Sequence, residues 1–340
     1  MFKPEPRLSD MPKHIKQSIV NDLDTGTKLS LRQVDFKFKE IVENSKIHYQ
    51  KLTLALRADR VKVSWQKTED ETVEQTFIRK KDGFEMIRDN YPVKIGKGDY
   101  RKAAVAKLFS VFKNSKVSVG ELLLEVSNCD IRGRNVLYDH TEFKEDRRVI
   151  RKEIRRILSL NNFRLKVTKL DIRFQLGDQL ALSILPYLEP GTLEVLHIKF
   201  RLCTSQEYTQ KQWVTDLITD TEQWRQLKEA EINAFTSNIS SDKYSHLERF
   251  SLPLSRRPTD TMKTILEKML RNPKLKTCCL GYVCGEGFDM TGAREYLKQF
   301  EKIPEFCRNG NYSIKHPYEE GKRVVIEMNN IVLGIDKYDY

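Results

Sequence analysis

From about residue 117 onward the sequence alternates short apolar runs of strand length with amphipathic stretches of helical period. The strand-like runs are Leu122 to Val126, Leu165 to Phe174, Leu193 to Phe200, Glu231 to Phe235, Leu247 to Leu254 and Leu275 to Val283. Between them lie helix-like stretches at Arg147 to Leu160, Asp178 to Tyr187, Thr221 to Lys228, Thr259 to Leu270 and Thr291 to Phe300. A strand that reaches the next strand only through a helix crosses over and pairs in parallel, so this half of the chain predicts a parallel sheet. Intervals between successive strands run from under 20 to over 40 residues, which excludes a strict leucine-rich period and leaves a degenerate, open and curved α/β solenoid. The run Leu193 to Phe200 is almost continuously apolar and reads as a strand buried on both faces.

The first 115 residues follow other periods. Ile15, Ile19 and Leu23 stand four apart on one helix face, with Ser9 or Asp10 as cap, Pro12 in the first turn and Asp24-Thr25-Gly26 as the stop. Leu31, Val34, Phe38, Ile41 and Val42 make a second amphipathic helix. Two helices are too few for a self-sufficient core and lean on a neighbour or a partner. Leu52, Leu54 and Leu56, then Val61, Val63 and Trp65, alternate with polar or small residues and predict a hairpin, with Thr72 to Ile78 as a third strand. A turn at Gly96 to Tyr100 leads into a helix from Tyr100 to Phe112. Tyr312 to Lys315, Val324 to Met328 and Ile331 to Ile335 read as short antiparallel strands. The fold class is therefore mixed α+β and α/β, divided at 8–50, 51–115, 116–310 and 311–340.

The 60 Lys and Arg against 48 Asp and Glu give a formal charge of +12, and 39% of the residues are hydrophobic, enough for one large core or two modest ones and too many for a disordered chain. No segment has the ~18 uninterrupted apolar residues of a membrane span. The six cysteines, Cys129, Cys203, Cys278, Cys279, Cys284 and Cys307, are scattered rather than dense, which reads as reduced thiols in an intracellular protein, cytoplasmic, nuclear or both. The charge excess is local. Eleven basic residues face four acidic ones between Lys144 and Arg173.

Catalytic signatures are missing. There is no G-x-x-x-x-G-K-[ST], G-x-S-x-G or H-E-x-x-H, and Gly96-Lys97-Gly98 and Gly285-Glu286-Gly287 lack a third glycine. Cys278, Cys279 and Cys284 are the best metal candidates, but no second pair follows and adjacent strand residues point to opposite faces, so they read as core thiols. No cofactor and no metal is expected. On the helix from Arg147, Arg147, Arg148, Arg151, Lys152, Arg155 and Arg156 cover about half the circumference. That half could hold phosphates or an acidic partner, but with no aromatic stacking motif beside it a solvated charged face is the preferred reading over nucleic acid.

Met11-Pro12-x-x-Ile15, Ile19, Leu23, Leu29-Ser30-Leu31-Arg32, Val34, Phe38 and Ile41-Val42 resembles an F-box, with Met11 for its leucine, Asp35 for a small polar residue and Phe38 for its tryptophan. Ile184-Leu185-Pro186-Tyr187-Leu188-Glu189-Pro190-Gly191-Thr192-Leu193-Glu194, then Thr221-Glu222-Gln223-Trp224-Arg225-Gln226-Leu227-Lys228 and the strand Leu247 to Leu252, is similar to the FTH domain of nematode F-box proteins. The resemblance implies an F-box, a hairpin region and an FTH domain in that order. It also implies a non-catalytic adaptor of a Skp, cullin and F-box ubiquitin ligase, the F-box docking on a Skp-type subunit and the α/β region holding an unknown target. Met11, Pro12, Ile15, Ile19, Leu23, Leu29, Leu31, Val34, Phe38 and Ile41 would meet the Skp-type subunit. The rival expectation is an F-box scaffold without degradation, RNA-associated through the basic helix.

Overall fold

The structure is a computed structural model that describes residues 11–23, 27–28, 31, 36–43, 46–57, 59–89, 91–113, 116–126, 140–161, 164–174, 180–200, 217–232, 240–254, 261–282, 291–297, 299, 306–307, 311–315, 322–328 and 332–339. The described strands join in one fifteen-stranded sheet. At its centre β1 (Ile47–Leu56), β6 (Val117–Val126), β7 (Lys166–Phe174), β8 (Val195–Phe200), β9 (Glu229–Ile232), β10 (Arg249–Leu254) and β11 (Thr277–Tyr282) run parallel, each beside the next. On one side β1 continues into an antiparallel meander of β2 (Arg60–Gln66), β3 (Thr72–Lys80), β4 (Gly83–Arg88) and β5 (Tyr91–Gly96). On the other side β11 pairs antiparallel with β15 (Val332–Asp339), followed outward by β14 (Lys322–Met328), β13 (Asn311–Lys315) and β12 (Phe306–Cys307).

The predicted hairpin is therefore the start of a five-stranded meander, and β4 and β5 are strands that the alternation did not announce. Charged Glu85 and Arg88 and exposed Tyr91 to Ile95 break the in-and-out contrast on which a strand reading depends.

Six parallel strands share one local pattern. A buried residue (Val119, Val167, Leu193, Leu227, Leu247 or Leu275) precedes two more exposed ones. A second buried residue follows (Leu122, Leu170, Leu196, Ala230, Phe250 or Cys278), then an outward one, then a third buried one (Leu124, Ile172, Ile198, Ile232, Leu252 or Leu280). The outward turn in this step is stitched between neighbours. Glu194 N donates to Thr168 O, Lys228 N and Glu229 N to Glu194 O, Glu248 N and Arg249 N to Lys228 O, and Lys276 N and Thr277 N to Glu248 O. These bonds satisfy backbone groups before the regular ladder begins and hold the strand entries in step.

Helices cover the apolar side. α1 (Lys13–Asp22) and α2 (Phe36–Glu43) stand at the N-terminus, and α3 (Tyr100–Phe109) lies on β1 to β4 and against α4 (His140–Asn161). Next come α5 (Leu180–Ile184) and α6 (Glu222–Arg225), then α7 (Met262–Arg271), which packs on α8 (Thr291–Leu297). Asp99 caps α3 by accepting from the backbone N–H of Arg101 at 2.8 Å, and Thr221 and Thr261 cap α6 and α7 in the same way. One apolar cluster runs through the sheet and its helices from Ile47 to Ile335.

The strand at Leu193 to Phe200 differs from its prediction. Leu196 and Ile198 are buried, whereas Val195, His197 and Lys199 are only partly covered on the other face. Much the same division holds along the parallel strands, with Ala55, Leu123 and Asp171 as buried exceptions, so among the described residues the sheet is packed by helices on one face and more open on the other. No helix among the described residues is long and apolar enough to cross a membrane.

Candidate interaction surfaces

Among the described residues, the helical pair α1 and α2 has a small core of its own, separate from that of the sheet: Val20, Phe38, Ile41 and Val42, with half-buried Leu31 against it. Helix α1 begins directly after Pro12, which provides no side-chain cap, and Ser9, Asp10 and Asp24 to Gly26 lie outside the described residues. The row of α1 that meets α2 is Lys16 and Val20. The Lys16 ammonium lies 5.9 Å from the centroid of the Phe38 ring, and Lys13 pairs with Glu40 at 3.4 Å.

The predicted adaptor-binding residues therefore separate by position. Phe38 and Ile41 are buried in the local core. Met11, Ile19, Leu23 and Leu31 are half-buried, Pro12 is exposed, and Ile15 keeps 41% of its surface in solvent. Leu29 and Val34 lie outside the described residues. Val20 closes the pair and was missing from the sequence-based set, because a row read at four-residue steps from Ile15 passes it by one position, which on a helix is a rotation of about 100°.

The basic side of α4 is largely engaged with its own surroundings. Arg148 pairs with Glu145 and Arg156 with Glu153, each at 2.5 Å, and Arg155 Nε donates to Ser183 Oγ at 3.0 Å. Arg147 is buried, Arg151 is half-buried and Lys152 is exposed. Asp146 on the same helix receives the guanidinium of Arg101, which also binds Asp99. Burial would raise the Asp99 pKa, but its hydrogen bonds from Arg101 outweigh burial and hold the carboxyl below its ordinary range.

The open face of the parallel sheet carries a polar network that crosses from strand to strand. Glu121 on β6 lies between Lys51 of β1 at 2.8 Å and Lys169 of β7 at 3.3 Å. Burial alone would raise its pKa; the two lysines overcome this and lower it. Arg57 meets Glu125 at 2.9 Å, and Arg173 grips Asp171 at 2.8 Å. On the next strands His197 Nε2 is 3.1 Å from Glu229 and Nδ1 is 3.8 Å from Glu231. Lys199 reaches Glu231 at 2.9 Å, and Arg249 reaches Glu229 at 3.7 Å. Parallel registers place these side chains in rows, with Glu121, Lys169, Val195, Glu229 and Arg249 in one and Leu123, Asp171, His197, Glu231 and Ser251 in the next. Reading outward-facing residues strand by strand in the sequence would have found the charges. Pairing them across strands needed the register.

Cys278 points into the core, where burial pushes its thiol pKa up, while Cys279 is half-buried on the open face. Cys284 lies outside the described residues, and no group of three or more potential metal ligands occurs among the described ones.

The segment Leu185 to Leu193 is framework. Thr192 N donates to Glu189 O across Pro190 and Gly191, and Gly191 has φ +81°, the left-handed geometry that the third position of a type II turn requires. Leu185, Leu188 and Leu193 are buried, Leu165 N bonds to Tyr187 O, and Gln223 Nε2 donates to Leu188 O at 3.0 Å. Trp224 is buried and its indole N–H donates to the Lys243 carbonyl.

Residues 148–302 match the family model of the FTH domain. No curated protein matches the chain.

Proposed function

We propose that this chain is a substrate-recognition adaptor of a Skp, cullin and F-box ubiquitin ligase. In this reading α1 and α2 belong to an F-box that docks on the Skp-type subunit, and the α/β region is an open, leucine-rich-repeat-like solenoid that holds a target. The chain would catalyse nothing itself; it would raise the effective concentration of a target lysine beside a charged conjugating enzyme. The FTH match at residues 148–302 supports the pairing with an F-box, since the FTH domain is associated with F-box proteins. The observation that carries the adaptor surface is the outward position of Ile15, an apolar residue with Pro12 and half-buried Ile19 and Leu23 near it in sequence, on a helix whose other row is spent on the local core.

The basic residues of α4 come with no base-reading module or aromatic stacking motif in the sequence, which weighs against the RNA-associated scaffold.

Recovery of the chain on a purified Skp-type subunit tests the reading. Ile15→Asp places a charge where an apolar anchor would be desolvated and is expected to reduce recovery roughly tenfold or more, since an interface anchor is worth about 2 kcal/mol. Ile15 is exposed in the isolated molecule, so its variant is expected to keep the wild-type circular dichroism. Leu31→Asp is a second probe, but Leu31 also packs on the small core. Undiminished recovery of a folded Ile15→Asp chain sinks the adaptor assignment.

A further inference from the structure

The open sheet face is nearly neutral by count but not by depth. Its carboxylates lie lower than the most exposed cations: Asp171 exposes 1% of its side chain, Glu121 20%, Glu229 31% and Glu231 32%. Its cations stand above them, with 55% of the Arg249 side chain, 45% of Arg173 and 37% of Lys199 in solvent. The cause is length. A short carboxylate side chain ends close to the sheet, whereas Lys and Arg stems cross it and carry their charge to the outer layer. A partner approaching β6 to β10 therefore meets guanidinium and ammonium groups first. No Phe, Tyr or Trp stands among the described outward positions of these strands, so the face offers no stacking platform for bases. Glu229 and Glu231, each about a third exposed, stand between the cations and leave them as separate points rather than a continuous positive track.

We infer that this face is the target-binding surface and that it takes an acidic protein segment, whose separate carboxylates meet Lys199, Arg249 and Arg173 from above. Charge complementarity of the outer layer selects the sign of the partner, and the interrupted spacing favours discrete carboxylates over a phosphate backbone. The inference rests on the reading of the α/β region as the target-holding part and adds to it a face and a chemistry.

Fluorescence anisotropy of the full chain with a fluorescein-labelled sixteen-residue peptide of alternating Glu and Ser tests it, beside a Lys and Ser peptide and a sixteen-nucleotide uridine RNA. The acidic peptide is expected to bind and to weaken with salt. Lys199→Gln with Arg249→Gln should weaken it roughly tenfold, Lys199→Arg with Arg249→Lys should retain it, and Arg148→Gln with Lys152→Gln on α4 should change it less than twofold. Both face residues are more than a third exposed, so thermal melting of the variants should follow wild type. Absence of acidic-peptide binding, an unchanged affinity in the folded Gln pair, or tighter binding of the RNA with the same dependence on Lys199 and Arg249 would each overturn the inference. The assay contains no Skp-type subunit, so its failure leaves the Ile15 experiment untouched, and the converse holds.

Discussion

His246 sits half-buried beside Trp224, with Nε2 2.9 Å from the Trp224 carbonyl and the two rings edge to face at 6.3 Å between centroids. Burial disfavours the imidazolium and lowers its pKa below 6.5; the hydrogen bond to the Trp224 carbonyl opposes this only in part. The unfolded chain therefore takes up a proton before the folded one does. Its contribution to stability is fully present above about pH 6.5 and is lost as the pH falls from there toward the folded value. Urea titrations at about pH 7.5 and about pH 5.5 should show a drop for wild type that is smaller in His246→Gln, and an equal drop in both would refute the assignment. Trp224 could be picked out in the sequence as part of a family motif. What it does there could not: its indole N–H satisfies a backbone carbonyl 19 residues away, a relation no local spacing encodes.

β5 ends the sheet, and its outer edge is a potential template for another strand. Tyr91, Val93 and Ile95 are the kind of exposed apolar residues that would encourage such pairing. The strand carries its own obstacles. Pro92 lacks an N–H, Lys94 places a charge on the edge, and the β4 register skips from Met86 opposite Lys94 to Ile87 opposite Pro92, so Val93 is bulged out of the ladder. Replacing Pro92 with Thr and Lys94 with Val should raise light scattering on mild warming relative to wild type, with little change in the melting temperature. Scattering no greater than wild type would show that the edge needs no protection. The bulge also explains why this strand was illegible, since an inserted residue shifts the side-chain parity on which the two-residue alternation depends.

At the scale of the whole molecule, the apolar cluster of the sheet runs from Ile47 to Ile335, whereas among the described residues α1 and α2 close on four buried apolar ones of their own. Local opening costs less where fewer apolar groups are buried. Amides of α1 and α2 should therefore exchange with deuterium well before those of β6 to β11 in the isolated chain, and a bound Skp-type subunit should slow the former selectively. Equal protection of both regions in the isolated chain would contradict this division. The six-fold entry pattern along the parallel strands stayed hidden in the sequence because the connections between strands differ in length. Its regularity lies in six residues at a time and in the bonds from one strand entry to the next.

The order and type of most described elements after residue 117 were legible in the sequence alone, the two-residue β12 excepted, because helix and strand periods are local properties of the chain. Leu193 to Phe200 marks the limit of that reading: its composition fits burial on both faces, yet the structure packs Leu196 and Ile198 and leaves His197 and Lys199 on an open face. Only the tertiary structure could decide this, since exposure of a strand depends on whether a helix is laid over each side. It alone put His197 between the carboxylates of a neighbouring strand and turned Val20, rather than Ile15, toward α2, because register and helix rotation arise from packing between segments distant in the chain.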